Sequence, residues 1–165
     1  MKTALRAGLA LAAVVSAAGC GRSAAQLEWS GADTGRASLP ARAAWCADSR
    51  SLLLFATSGD TGRAIAGYPA DSTVGGDDAG VAAPGGVRRP GAAVGLRWNR
   101  SSSMADYRGA HGTVTVHRAG DLVTGTLATS AYAATGAGSL SVSGRFSGVA
   151  VHPGGADCAG RAGVD

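Results

Sequence analysis

Histidine is the side chain best suited to acid–base or metal chemistry near neutral pH, and this sequence contains three. They are His111, His117 and His152. No pair shows the H-x-H or H-x₃-H spacing by which one strand or one helical turn presents two imidazoles to a metal ion. His117 lies beside a predicted turn, His152 ends a predicted strand, and His111 is expected in a loop. We therefore predict three exposed histidines and no metal site.

Carboxylates offer a second kind of site. Asp71, Asp77 and Asp78 lie close together in a glycine-rich stretch, and converging loop oxygens can bind Ca²⁺. The spacing of an EF-hand loop and its closing Glu are missing. We expect a solvated loop without bound metal.

The tripeptide Asp-Thr-Gly occurs twice, at residues 33–35 and 60–62, and is similar to the active-site triplet of aspartic proteases. Those enzymes need two carboxylates that share a proton. Here small residues precede each triplet instead of an apolar strand, and the chain is short for two lobes. Because Asp-Thr-Gly is also a common turn sequence, we expect turns at both places. A small hydrolase that uses Asp60 or a histidine is kept as an alternative.

Other catalytic and phosphate-binding signatures are missing from the sequence. There is no G-x-S-x-G nucleophile elbow, and Lys2 is the only lysine, so a phosphate loop ending in Lys cannot form. The net charge is +4 for the full chain. A charge this small, and smaller still once Lys2 and Arg6 are removed, does not indicate nucleic acid or an anionic membrane as a partner. We expect no cofactor, no catalytic residues and no enzyme activity.

The elements that position these residues are predicted to be strands. The 27 glycines recur at turn-like intervals, and amphipathic helical periodicity is not found. Residues 51–57 are a continuous apolar run, which predicts a strand buried on both faces. From Ala92 to Trp98 apolar and other residues alternate, so one face should meet the core and the other water. Residues 69–90 predict a long surface loop with a short strand near Val81.

The second half of the chain indicates an antiparallel meander. Residues 101–108 are polar and are expected to connect strands, and residues 113–117 and 122–132 should form a hairpin around a turn at 118–121. A turn at 135–138 leads into a strand over 139–152. Within it the apolar phase switches between Phe146 and Val149, which predicts a bulge near Ser147 and Gly148.

These segments predict a mainly β fold of about seven to nine short strands. An antiparallel β-sandwich and a small β-barrel both bury such strands, and both stay open here. The expected core anchors are the large aromatic residues Trp29, Trp45, Phe55, Trp98 and Phe146.

The N-terminus predicts an export signal. Lys2 and Arg6 precede an apolar run over residues 7–18, which is shorter than the roughly 20 residues of a membrane-spanning helix. A positive start, a short apolar stretch and small residues at its end are typical of a cleavable signal peptide. Its removal, with Lys2 and Arg6, leaves a charge of +2.

The end of this signal, Ala17-Ala18-Gly19-Cys20, resembles the lipobox of bacterial lipoproteins, with Ala17 where Leu is commonest. The resemblance implies a diacylglycerol on the Cys20 thiol, cleavage before Cys20, and anchoring by two or three acyl chains such as palmitate. The protein is then a lipoprotein of the cell envelope, held on the extracytoplasmic side of a membrane. Gly21, where Asp would favour inner-membrane retention, favours the outer membrane of a diderm organism.

The cysteines agree with this interpretation. Three are present, and an odd number in an exported protein leaves an unpaired thiol. If Cys20 carries lipid, Cys46 and Cys158 form an even pair in an oxidising compartment. We therefore predict a Cys46–Cys158 disulfide, expected to join the first strand of the domain to the last.

The predicted organisation is a signal peptide over 1–19, a lipidated tether over 20–25, one β domain over 26–160 and a tail over 161–165. Removing 19 of the 165 residues leaves 146, which suits one domain. The expected role is a non-enzymatic binding or structural module, whose specific partner the sequence does not indicate. The alternatives are a lipocalin-like carrier of a small hydrophobic ligand and the small hydrolase.

Overall fold

The computed structural model describes residues 23–58, 61–68, 78–81, 90–100, 103–155 and 158. Within these ranges the chain forms nine strands: β1 (Ala24–Gly31), β2 (Gly35–Cys46), β3 (Ser51–Ser58), β4 (Thr61–Tyr68), β5 (Asp78–Gly80), β6 (Gly91–Arg100), β7 (Ser103–Ala119), β8 (Leu122–Ala133) and β9 (Ser139–Pro153). No helix in the described part of the chain has the length and hydropathy of a membrane span. The mainly β prediction is confirmed.

The strands form a single sheet that closes on itself. Going around it, the order is β1, β2, β3, β4, β6, β7, β8 and β9, and β9 pairs with β1 again. Each of these neighbours is antiparallel. The short strand β5 pairs with β7 beyond the end of β6. Of the two predicted architectures, this ring of pairings corresponds to the small barrel.

One parallel pairing completes the ring at the Cys46 end. Strand β1 begins at Ala24, opposite Pro40 of β2, so the last residues of β2 have no β1 partner. There residues 43–45 of β2 pair directly with residues 151–153 of β9. The sheet of the barrel therefore continues past the beginning of β1, through direct pairing of β2 with β9.

The interior is apolar and every strand of the ring whose side chains are described contributes to it. The large buried members of this cluster are Leu27, Leu39, Leu52, Leu54, Val81, Val94, Leu96, Tyr107, Val114, Val123, Leu127, Leu140, Val142, Phe146 and Val149. The predicted inward phase of Ala92, Val94 and Leu96 is confirmed. Trp29, Trp45 and Phe146 belong to this core as expected, whereas Phe55 packs in a smaller cluster outside it. The side chain of Trp98 lies outside the described residues.

Strand β3 is buried on both faces, as predicted. Leu52, Leu54 and Ala56 face the interior, while Leu53 packs with Cys46 in the outer cluster. Only 4% of Leu53 is exposed. The continuous apolar run thus arises because both sides of this strand are covered.

The predicted bulge in β9 is confirmed. Val123 pairs with Val149 and Gly125 pairs with Phe146, so β9 holds one more residue than β8 between these two pairs. Gly148, within this extra length, has a φ of +60°. A glycine in the left-handed region is a feature of one common bulge type. The extra residue allows both Phe146 and Val149 to face the core.

Two predictions about β7 are wrong. Residues 103–108 were expected to connect strands but belong to β7 and pair with β6. His111, expected in a loop, also lies within β7, where the register to β8 shifts between Gly109 and His111. Polar residues are compatible with a strand here because its outer face meets solvent.

At the two ends of the domain, the start of the first strand and the position of the disulfide differ from the prediction. Of the predicted tether, residues 24 and 25 belong to β1, and Ala25 is fully buried. The Cys46–Cys158 disulfide is present, with a Cα–Cα distance of 5.7 Å. It joins the end of the second strand, not the first, to a residue beyond the last. The signal over 1–19, Cys20 and the tail over 161–165 lie outside the described residues.

Candidate functional site

The described strands carry an open cleft with a volume of about 870 Å³, lined by exposed side chains and by the inward-facing Trp29, Thr129 and Val142. Residues from β1, β2, β7, β8 and β9 line it. Because these strands are neighbours in the ring, side chains far apart in sequence lie side by side. The cleft is the candidate site of this molecule.

Two rows of register partners form the floor of the cleft. In the first row His111 pairs with Ser130, Ser130 with Ser141, and Ser141 with Ser30. In the second row Ala128 pairs with Ser143, Ser143 with Glu28, and Glu28 with Arg36. These side chains are all exposed. The cleft thus presents hydroxyl groups, one carboxylate, one guanidinium and one imidazole.

Trp29 and Thr34 line one edge of the cleft, and both donate hydrogen bonds to Asp33. The Trp29 indole N–H donates to Asp33 Oδ2 at 3.3 Å, and the Thr34 amide donates to Asp33 Oδ1 at 2.8 Å. Both oxygens of Asp33 therefore accept local hydrogen bonds, as expected for the predicted turn. The second Asp-Thr-Gly begins at Asp60, which lies outside the described residues, as do Asp71 and Asp77.

The opposite edge is organised by Thr129. This threonine is only 6% exposed, and its Oγ1 donates to the carbonyl oxygen of His111 at 2.7 Å. A buried hydroxyl needs such a partner, and the bulge in β7 supplies it. Thr129 thereby holds the backbone that carries His111.

The histidines do not converge. His111 lies in the cleft, His117 lies near the β7–β8 turn, and His152 lies near the end of β9. Among the described residues no three His, Cys, Asp or Glu side chains are grouped to hold a metal ion. Within the residues that the structure describes, the His111 imidazole makes no hydrogen bond to a serine hydroxyl or a carboxylate. Such contacts are typical of a serine nucleophile activated by an adjacent base.

The cleft is suited to binding through hydrogen bonds. Serine hydroxyls both donate and accept, the arginine donates, and the carboxylate accepts. The sequence did not predict this grouping. It identified only His111, as a candidate for acid–base or metal chemistry that was expected to be simply exposed. No local motif could have revealed it, because it depends on the register of five strands.

Comparisons with protein-family models, with curated proteins and with solved structures find no match to this chain. Family relationships therefore contribute nothing to its functional assignment.

Proposed function

We propose that this chain is an exported lipoprotein whose barrel acts as a non-enzymatic binding module through its outer wall. In this proposal residues 1–19 are removed and Cys20 carries the lipid. The domain is then held at the extracytoplasmic face of a membrane in the cell envelope, the outer membrane in a diderm organism. No cofactor and no nucleic acid take part.

The observation that supports the anchor is the pairing of the other two cysteines. Cys46 and Cys158 are joined to each other, and Cys20 is the third cysteine of the chain. Disulfides are typical of oxidising compartments. Cys20 therefore has no cysteine partner in this chain, as a lipid-bearing residue requires.

The location of the cleft supports binding at the outer wall. The apolar cluster that spans the interior includes Phe146, Leu54 and Leu140, and no more than 2% of each is exposed. A carrier such as a lipocalin encloses its ligand inside the barrel. The exposed side chains that line the cleft are instead polar: serine hydroxyls, one carboxylate, one guanidinium and one imidazole. This favours a surface-binding module over a carrier, and the two local hydrogen bonds of Asp33 are those of a turn instead of a proton-sharing carboxylate pair.

The test of the anchor is cell fractionation of two variants. Cys20→Ala should move the protein out of the membrane fraction, because no acyl chain can be attached. The matched control is the double variant Cys46→Ala/Cys158→Ala, which also removes cysteines, here the disulfide, but should stay with the membrane. If mature Cys20→Ala protein remains membrane-bound, the proposed anchor is wrong.

A further inference from the structure

We propose that the barrel lies side-on against the anionic surface of the bilayer, with the wall formed by β9, β1 and β2 facing the lipid headgroups. This inference rests on the proposed anchor at Cys20. It names phospholipid headgroups as the partner of the same outer wall that carries the cleft.

The first step is the short distance between the anchor and the barrel. The Ser23 hydroxyl donates to the Gly148 carbonyl at 2.8 Å, and the Ala41 amide donates to the Ser23 carbonyl at 3.0 Å. Ser23 is therefore fixed to the wall. Two residues lie between it and Cys20, so the two Cα atoms are three steps, or at most about 11 Å, apart.

The second step is the position of Ser23, which lies well away from the end of the barrel. Beyond Ala41, strand β2 continues for five residues to Cys46, a length of about 17 Å. With the usual strand tilt this is about 13 Å along the barrel axis. If the barrel stood upright on this end, even a fully extended tether would force the following turn, with exposed Asp48 and Arg50, into the headgroups.

The opposite end is further away still. From Ser23 to Gly31, β1 extends over eight residues, about 26 Å along the strand and about 20 Å along the axis. The tether cannot span that distance. The tether therefore excludes the upright orientation on this far end, and on the near end it brings the polar turn after β2 to the headgroups. The wall around Ser23 is the part of the barrel held nearest to the anchor.

The charge of that wall is the second, independent observation. Along β9, β1 and β2 the exposed arginines are Arg36, Arg42 and Arg145, and the exposed carboxylate in the described strands is Glu28. On the opposite side Arg97 and Arg108 share one acidic neighbour, Asp106, at 4.0 and 3.2 Å, much as Arg36 has Glu28 as its register partner here. Arginine side chains near a bilayer are attracted to anionic lipids. The wall that the tether turns to the membrane is thus also net cationic.

The test measures which wall lies closest to the lipid. The lipidated protein is reconstituted into vesicles of phosphatidylglycerol and phosphatidylcholine that contain a headgroup spin-labelled lipid. A fluorophore is attached to one introduced cysteine: Ser38→Cys on β2, Met104→Cys on β7 or Asp48→Cys in the turn after β2. All three positions are exposed. We expect the label at 38 to be quenched several-fold more than the label at 104.

Two other outcomes overturn the proposal. Equal quenching at 38 and 104 would mean that this wall faces water and has some other partner. Strongest quenching at 48 would mean that the barrel stands upright. Mass spectrometry of the same sample separates these results from failure of the anchor: a protein without lipid on Cys20 contradicts the proposed function itself.

The charge contribution is tested with matched triple variants. Arg36→Gln/Arg42→Gln/Arg145→Gln should lower quenching at position 38. Arg97→Gln/Arg108→Gln/Arg118→Gln removes the same charge elsewhere and should not. Raising the salt from about 0.15 M to about 1 M shortens the screening length from about 8 to about 3 Å, so it should reduce quenching in the unsubstituted protein. Quenching at 38 that salt does not change contradicts an electrostatic contact.

Discussion

At the scale of single residues, Thr129 shows how a polar group is accommodated among apolar ones. It faces the interior side of β8 and is nearly buried, yet its hydroxyl reaches the His111 carbonyl. The register shift in β7 lies next to this carbonyl. The hydrogen bond therefore compensates for ladder bonds that a bulge disrupts.

Replacing Thr129 by Val should destabilise the fold by about 1 kcal/mol, because it removes the hydrogen-bond partner of a part-buried carbonyl. The matched control is Thr126→Val on the same strand, where the side chain is exposed and the change should be close to neutral. Urea unfolding of both variants measures the difference. Equal stability of the two would show that this hydrogen bond contributes nothing.

The sequence allowed correct expectations for residues whose neighbours are local. Arg118 to Asp121 were predicted as a turn, and β7 and β8 do end and begin on either side of Gly120 and Asp121. His111 was misplaced because glycines at 109 and 112 surround it and resemble a loop. The other cleft residues gave no signal, since a serine on the outer face of a strand is ordinary by itself.

At the scale of elements, the phase of apolar residues was the most informative signal. The switch between Phe146 and Val149 predicted the bulge in β9 because a strand face repeats every second residue. Strand β7 was predicted only from residue 113 onward. Its first residues are polar, and only pairing with β6 makes them a strand.

The bulge makes a prediction about Gly148. Its φ of +60° is costly for residues with a Cβ, so Gly148→Ala should destabilise the protein by about 1–2 kcal/mol. Space is not the cause, because a Cβ at this position meets nothing within 4 Å. Gly155→Ala is the control, since it has the same free space without the positive φ. Thermal unfolding that ranks the two variants equally would contradict the assignment of backbone strain.

At the scale of the whole molecule, closure of the barrel and the disulfide act at the same seam. Strands β2 and β9 become direct neighbours where β1 is absent, and the disulfide joins the end of β2 to residue 158 just beyond β9. The pairing of cysteines was predictable from their number. The barrel was not distinguishable from a sandwich, because strand order depends on contacts between distant segments.

Loss of this bridge should lower the Tm clearly. A closed loop of about 100 residues contributes up to about 4.7 kcal/mol in the chain-entropy model, which for a domain of this size corresponds to a Tm decrease of about 10 °C. Cys46→Ala/Cys158→Ala measured by thermal unfolding should show it. Adding reductant to the unsubstituted protein should produce a similar decrease, and a Tm insensitive to both changes would contradict a stabilising role.

The most direct test of the proposed lipid anchor is the mass of the protein extracted with detergent from its own membranes. The prediction is a chain that begins at residue 20, carries two or three acyl chains on Cys20, two of them as diacylglycerol, and keeps Cys46 and Cys158 oxidised. A chain that begins elsewhere, or begins at Cys20 without lipid, would contradict the proposal of a membrane-anchored binding module.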